Sequence, residues 1–250
     1  MVSDRALSVT VLGCSGTYAG PLGACSGYLV EADGHKVLMD CGPGTLARLQ
    51  EFMPLTELDA VVLSHSHPDH WLELPILRNA LRYILDVRGV PVFSTTETLD
   101  MAEAVCGVDL GPTFNWSVIT DGDDVAIGPL RARFSRTDHP PETLAIRLDH
   151  AGTSVAYSAD TGPGWSFTEF GPGIGLAICE ATALTTDVTF GVHLTPTEAG
   201  KMCRDAGVGE LVLTHQLPGS DPEEFRRIGS EAYGAPVHIA SPGARFHHET

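Results

Sequence analysis

The sequence predicts an α/β protein in which two mixed β-sheets pack face to face, with helices on their outer sides. Short, branched, apolar segments typical of strands occur in two blocks, one in each half of the chain. Each block is flanked by segments with helical spacing, and a sheet covered by helices on one face buries its other face against a second layer. No linker, repeat or low-complexity segment interrupts the chain, so we expect residues 1–250 to form one domain.

The first half contains the first strand block. In order, the pattern predicts strands at 7–12, 27–31 and 36–40, a helix at 44–53, a buried strand at 58–64, a helix at 76–87, a strand at 91–95 and a helix at 96–107. Glycine-rich turns separate the first strands, and Gly107 marks the last helix end. In the helix at 76–87, one side is expected to be apolar and to face the core: Ile76, Leu77, Ala80, Leu81, Ile84 and Leu85.

The second half begins with strands and ends with alternating helices and strands. The predicted strands are 116–120, 124–139 as a hairpin, 143–160 as a hairpin, 175–181, 210–215 and 236–240, with helices at 195–207 and 221–234. The two final histidines, His247 and His248, are expected in a disordered polar tail.

Composition excludes several classes of protein. The net charge is −17, from 32 acidic and 15 basic residues, and only Lys36 and Lys201 are lysines. Such a chain gains little from displacing counterions on a phosphate backbone, so a nucleic-acid partner is disfavoured. No apolar run is long enough to cross a bilayer, no export signal is evident, and the six cysteines form no C-x-x-C pair. We therefore expect a cytoplasmic protein without a membrane partner.

The segment SHSHPDH, residues 64–70, concentrates metal-ligating side chains directly after a buried strand. It holds four candidate ligands in six residues: His65, His67, Asp69 and His70. Imidazole and carboxylate are the ligands that borderline divalent metals prefer. The alternative is a solvated loop in which Asp69 merely caps the following helix. Three further candidates lie at the ends of apolar strand patterns, where a rigid scaffold presents functional groups: His139, Asp160 and His215.

The ordered set of these motifs resembles the metallo-β-lactamase fold, in particular its phosphodiesterase branch that contains ribonuclease Z. The segment SHSHPDH is similar to the H-x-H-x-D-H signature, and the resemblance runs through nearly the whole chain. Asp40 in VLMDCG looks like the early aspartate of the fold, which would orient a ligating histidine; a plain turn aspartate is nearly as good an interpretation. The resemblance implies an αββα sandwich.

The resemblance also implies two divalent metal ions. One would be bound by His65, His67 and His139, and the other by Asp69, His70 and His215, with Asp160 bridging the two. Two such ions hold a bridging hydroxide that serves as the nucleophile. Zn²⁺ is the expected ion, and Mn²⁺ suits the same ligands.

Two outer motifs indicate phosphodiester chemistry. The segment CEAT, residues 179–182, resembles the H-E-A-T segment of ribonuclease Z, with Cys179 in place of histidine; HLTPTEAG, residues 193–200, resembles its H-S-T segment. By this resemblance His193 assists the leaving group, and Glu180 orients it. The predicted catalytic residues are thus His193 and Glu180, together with the metal-site carboxylate Asp69. Ser15, Thr17, Trp71 and Trp165 are weaker candidates for shaping the pocket.

The substrate is expected to be small. Ribonuclease Z inserts a Gly/Pro-rich arm between its later histidine and aspartate ligands, whereas here residues 140–159 suffice only for a hairpin. The segments TVLGCSGT, SGYLV and AYSADTG resemble compact ribonuclease Z-like proteins that include an atypical class II cyclic-nucleotide phosphodiesterase. Cyclic 3′,5′-AMP, hydrolysed to 5′-AMP, is therefore the lead candidate, and a homodimer is plausible. A transfer-RNA 3′-endonuclease, a hydrolase of another ester, thioester or lactam, and a binding module without turnover remain alternatives.

Overall fold

The structure is a computed structural model that describes residues 7–107 and 110–248. Its described strands are β1 Leu7–Gly13, β2 Gly27–Ala32, β3 His35–Met39, β4 Ala60–Val62, β5 Val90–Ser94, β6 Phe114–Val118, β7 Asp124–Ile127, β8 Leu130–Arg136, β9 Leu144–His150, β10 Thr153–Tyr157, β11 Leu176–Glu180, β12 Glu210–Thr214, β13 His238–Ile239 and β14 Arg245–His248. Its described α-helices are α1 Thr45–Leu49, α2 Pro68–Trp71, α3 Leu74–Asn79, α4 Thr96–Cys106, α5 Thr186–Thr189, α6 Pro196–Asp205 and α7 Pro222–Tyr233.

The strands form two mixed sheets of seven strands each. The first sheet has the order β14-β1-β2-β3-β4-β5-β6, and the second has the order β13-β12-β11-β10-β9-β8-β7. The two sheets bury their facing sides in one apolar core, to which Val30 of β2 and Tyr157 of β10 belong. Successive strand residues point to opposite faces, so Leu29 packs on the helical side of the first sheet. The predicted αββα sandwich is confirmed.

Helices cover the outer face of each sheet. Leu46 of α1, Leu77 of α3 and Ala102 of α4 pack on the first sheet. Ala199 of α6 and Phe225 of α7 pack on the second sheet. Because the central strands are buried on both faces, they read as nearly continuous apolar runs, whereas the edge strands β6 and β7 are largely exposed.

The buried side predicted for the helix at 76–87 is wrong in part. Leu77 and Leu81 are buried, but Ile76, Ile84 and Leu85 are 57%, 80% and 38% exposed. Beyond α3 the chain continues as a π-helical turn, Ala80–Ile84. This wider turn has i→i+5 hydrogen bonds, so Ile84 and Leu85 at its end leave the buried face, whereas Ile76 precedes the turn and lies on the exposed side of α3.

The predicted disordered tail is also wrong. Residues Arg245–His248 form β14, which pairs antiparallel with β1 in the register Leu7↔His248 to Thr10↔Arg245. Strand β14 thereby covers an edge of the first sheet and satisfies backbone groups of β1. Charged and polar side chains are compatible with this position because an edge strand is exposed on its outer side.

The strand directions determine where side chains converge. Strands β3, β4, β5 and β6 are parallel to one another, and so are β10, β11, β12 and β13. In such sheets the loops at the carboxyl ends of parallel strands meet at one edge, where ligands bind. Among the described residues, no helix has both the length and the apolar character needed to span a bilayer.

Candidate metal centre

The seven predicted metal ligands come together between the two sheets. His65 and His67 lie in the loop that follows strand β4, and Asp69 and His70 lie in helix α2. The second sheet contributes His139 after β8, Asp160 after β10 and His215 after β12. All seven are buried except His67, which is half-buried. The side chain of Asp69 makes no capping bond to α2, so the alternative role as a helix cap is excluded.

One group of ligand atoms surrounds Oδ2 of Asp160. Nε2 of His65 lies 3.6 Å from this oxygen, and Nε2 of His139 lies 3.8 Å from it. Nε2 of His139 is also 3.2 Å from Nδ1 of His67. Four potential ligand atoms from four residues therefore face one point.

A second group surrounds the other oxygen of the same carboxylate. Nε2 of His70 and Nε2 of His215 lie 3.3 and 3.4 Å from Oδ1 of Asp160. Oδ2 of Asp69 lies 3.5 Å from His70 Nε2 and 3.3 Å from His215 Nε2. Asp160 thus presents one oxygen to each group, as a carboxylate that bridges two ions does.

These distances fit divalent ions. Ligand atoms around a tetrahedral zinc ion, with bonds of about 2.0–2.2 Å, are roughly 3.3–3.6 Å apart. Three of the converging atoms are sealed from solvent without a hydrogen-bond partner, namely His65 Nε2, His70 Nε2 and Asp160 Oδ1. Unpartnered buried polar atoms are costly, and a cation between them would compensate that cost.

The protonation of three of the histidines, His65, His67 and His139, favours metal binding. Burial lowers the pKa of His65 well below its ordinary value and also lowers the pKa values of His67 and His139. These rings are therefore neutral, which is the form that donates a lone pair to a metal. Nδ1 of His139 donates to the carbonyl of Val192 at 2.8 Å, so its Nε2 is free to bind.

Asp40 bonds the ring of His70, one of the predicted ligands, as the interpretation of Asp40 as an orienting residue requires. It lies between β3 and the next loop with a φ of 58° and is fully buried. Nδ1 of His70 donates to its Oδ2 at 2.7 Å, and the hydroxyl of Tyr157 donates to the same oxygen at 3.1 Å. The carboxylate thus holds the His70 ring with Nε2 directed at Asp160.

His193 and Glu180 form a pair beside this centre. Nδ1 of His193 donates to Oε1 of Glu180 at 3.0 Å, and it lies 3.9 Å from Oδ2 of Asp160. Glu180 is fully buried and also accepts backbone N–H groups of Thr161 and Leu194. Burial disfavours the charged ring, but the hydrogen bond and charge of Glu180 outweigh it and raise the pKa of His193 to about 9.

Of the weaker candidates for shaping the pocket, Trp71 and Trp165 have structural positions. The indole N–H of Trp71 donates to the carbonyl of Ser66, and that of Trp165 to Oγ of Ser135, and both side chains are buried. Thr17 reaches the centre by its backbone, because its N–H donates to Oδ2 of Asp69 at 2.8 Å. No side-chain pattern in the sequence indicates such a backbone contact.

Loading the metal-free protein with divalent ions is expected to stabilise it. At a free ion concentration about 100-fold above Kd, each bound ion adds about 2.7 kcal/mol to the free energy of unfolding. For a chain of this size that corresponds to a rise in Tm of roughly 5–10 °C per ion. Differential scanning calorimetry of chelator-treated protein, with and without added Zn²⁺ or Mn²⁺, measures this rise. An unchanged Tm across a full titration would contradict metal binding at this cluster.

The chain matches known proteins over most of its length. Residues 35–216 match the family model described as Beta-lactamase superfamily domain. The probable metallo-hydrolase YhfI of Bacillus subtilis is 30% identical over 244 residues, which cover 95% of this chain and 98% of YhfI. Ribonuclease Z of Mycobacterium marinum is 28% identical over 275 residues, which cover 94% of this chain and 96% of that protein.

Solved structures agree with the sequence matches. The crystal structure of YhfI aligns with a TM-score of 0.90 at 28% identity and covers 98% of this chain and 100% of that chain. A diphosphatase from the PhnP family aligns with a TM-score of 0.81 at 18% identity, covering 97% of this chain and 98% of that chain, which shows a shared fold. The resemblance to the ribonuclease Z-like branch is confirmed. The chain therefore belongs to the beta-lactamase superfamily and is a metal-dependent hydrolase.

Proposed function

We propose that the protein is a phosphodiesterase that hydrolyses a small phosphodiester with two divalent metal ions. Zn²⁺ is the proposed ion because imidazole nitrogens dominate the ligand set. The first ion would be held by His65, His67 and His139. The second would be held by Asp69, His70 and His215. Asp160, whose two oxygens face the two groups, would contribute a ligand to both ions.

The observation that carries the proposal is the His193–Glu180 pair at the edge of the metal centre. When bound, the two ions would supply Lewis-acid activation of water and of the phosphoryl group at neutral pH. Glu180 accepts a hydrogen bond from the Nδ1–H of His193, so the proton on Nε2 is available to the departing oxygen. The His193 side chain is 17% exposed, so the ring is accessible yet held in place. A ring that gives a proton to an alkoxide leaving group suits phosphodiester cleavage.

The hairpin between His139 and Asp160 supports a small substrate. Strands β9 and β10 pair in register from Thr153↔His150 to Tyr157↔Ile146 and are joined by a two-residue turn, Ala151 and Gly152. No residues remain there for an arm that grips a folded RNA. The net charge of −17 also disfavours a polyanionic substrate.

We infer that 3′,5′-cyclic AMP is the lead substrate. Hydrolysis breaks the bond between phosphorus and the 3′ oxygen, the hydroxyl of a water molecule adds to phosphorus, and the 3′ oxygen takes the proton from His193 Nε2. The remaining proton of that water passes to solvent, from which His193 is protonated again. The product is 5′-AMP. Transfer-RNA 3′ processing is the second candidate, because a ribonuclease Z is 28% identical over 94% of this chain.

Metal-reconstituted protein should be tested on 3′,5′-cyclic AMP and on a precursor transfer RNA at equal enzyme concentration. We expect 5′-AMP to accumulate while the RNA stays intact, with product identity read by chromatography against 5′-AMP and 3′-AMP standards. An Asp160→Ala sample controls for contaminating phosphodiesterases. Cleavage of the RNA at its 3′ trailer, with the cyclic nucleotide unchanged, would replace this proposal by the second candidate.

A further inference from the structure

Two buried carboxylates, one in each half of the sandwich, each hold two histidines in or beside the metal centre. Each carboxylate bonds one ring directly and reaches a second ring through a hydroxyl group. We propose that these hydroxyls, of Ser64 and Thr182, are positioning groups that fix the proton and orientation of His65 and His215, each setting the affinity of one metal subsite. The inference rests on the metal centre of the proposed function and does not depend on its substrate.

In the first half, the direction of the hydrogen bonds fixes the form of His65. The hydroxyl of Ser64 donates to Oδ2 of Asp40 at 2.9 Å, because an ionised carboxylate only accepts. Oγ of Ser64, which lies 3.0 Å from Nδ1 of His65, must then accept from that nitrogen. Nδ1 of His65 therefore carries the proton. Its Nε2 keeps the lone pair and is the unpartnered buried atom that faces Asp160.

The second half repeats the arrangement with different residues. The hydroxyl of Thr182 donates to Oε2 of Glu180 at 2.8 Å, and its oxygen lies 2.9 Å from Nδ1 of His215. By the same argument Nδ1 of His215 is the donor. Nε2 of His215 bonds Oδ2 of Asp69 at 3.3 Å and lies 3.4 Å from Oδ1 of Asp160, and with Nδ1 protonated it is the nitrogen that an ion between these atoms would engage.

The hydroxyl groups of Ser64 and Thr182 act on different ion subsites. His65 shares its group with His67 and His139, whereas His215 shares its group with Asp69 and His70. Loss of the Ser64 hydroxyl should therefore weaken the first subsite, and loss of the Thr182 hydroxyl the second. Removing the partner that orients a ligating histidine costs about 10–100-fold in metal affinity, and we expect an effect of that size in the affected subsite alone.

The test compares Ser64→Ala and Thr182→Val with Ser64→Thr and Thr182→Ser, which keep the hydroxyls. Matched controls are Ser66→Ala, a buried serine in the same loop, and Thr214→Val, next to His215 but bonded to Tyr28. Zn²⁺ dissociation constants come from titration against a competing chelator, with thermal unfolding of each metal-free variant to establish folding. In each of the two variants that lack a hydroxyl, we expect one of the two Zn²⁺ dissociation constants to rise. In the other four variants, both constants should equal those of the wild-type protein.

Histidine-labelled, zinc-loaded protein provides a second readout. Long-range ¹⁵N–¹H spectra should show protonated Nδ1 at His65 and His215 in the wild-type protein, and a changed Nδ1 signal only for the ring whose hydroxyl is deleted. Unchanged zinc affinity in the deleted variants, equal losses in the controls, or Nδ1 unprotonated at both rings would overturn the inference. Because neither readout uses a substrate, a protein that binds two ions but cleaves no phosphodiester would refute the proposed function and leave this inference intact.

Discussion

Replacing Asp160 with alanine is expected to remove metal binding and phosphodiester turnover together. Its two carboxylate oxygens face the two ligand groups, so the substitution takes one ligand from each ion at once. The ions supply much of an acceleration that in hydrolytic enzymes exceeds about 10⁶-fold, so we expect activity to fall by more than about 10⁴-fold. Elemental analysis of the purified protein and steady-state hydrolysis of bis(p-nitrophenyl) phosphate measure the two losses.

Asp205→Ala is the matched control for that experiment. Asp205 is an exposed aspartate at the end of α6, paired with Arg204 and remote in the fold from the ligand groups. Its loss should leave metal content and turnover unchanged, since exposed ion pairs contribute little. An Asp160→Ala protein that retains two ions and full activity would show that Asp160 does not bridge them.

Replacing His193 with alanine is expected to separate catalysis from metal binding. His193 is bonded to Glu180 at the edge of the centre, where it also lies near Asp160 and His215 but outside the two sets of proposed ligands. Loss of a general acid typically lowers turnover by about 10²–10⁴-fold, and we expect that decrease with two ions still bound. The loss should be smallest for substrates whose leaving group needs no proton, such as p-nitrophenolate esters, and largest for cyclic AMP.

His238→Ala provides the comparison, because His238 is a half-exposed histidine on β13 that pairs with Glu210. It should match the wild-type protein in metal content and in turnover of both substrates. If His193→Ala loses an ion, or loses equal activity on both leaving groups, His193 acts as a ligand or a structural residue and the proton-donor assignment fails.

That the candidate ligands converge could be predicted from sequence because they lie at strand ends, while their division between two ions came from the family resemblance. His65, Asp160 and His215 each follow a short apolar strand, and parallel strands bring such positions to one edge of a sheet. Continuous apolar runs and helical spacing likewise locate most elements, since the central strands are buried on both faces.

Features that depend on contacts distant in the chain could not be predicted. Strand β14 exists because it pairs with β1, more than 230 residues earlier, and its own sequence is polar. Thr182 bonds His215 across 33 positions, and nothing in its local pattern distinguishes it from other threonines. The π-helical turn at Ala80–Ile84 is equally invisible to a periodicity argument that assumes 3.6 residues per turn.

The most direct test of the account is hydrolysis of bis(p-nitrophenyl) phosphate by the same preparation in metal-free and metal-reconstituted form. Thioester, carboxylic-ester and lactam substrates should be run in parallel. We predict phosphodiester turnover that appears as two ions are restored per chain, with the other substrates hydrolysed far more slowly. A protein that binds both ions, leaves the phosphodiester intact and hydrolyses one of the other substrates would contradict the proposal.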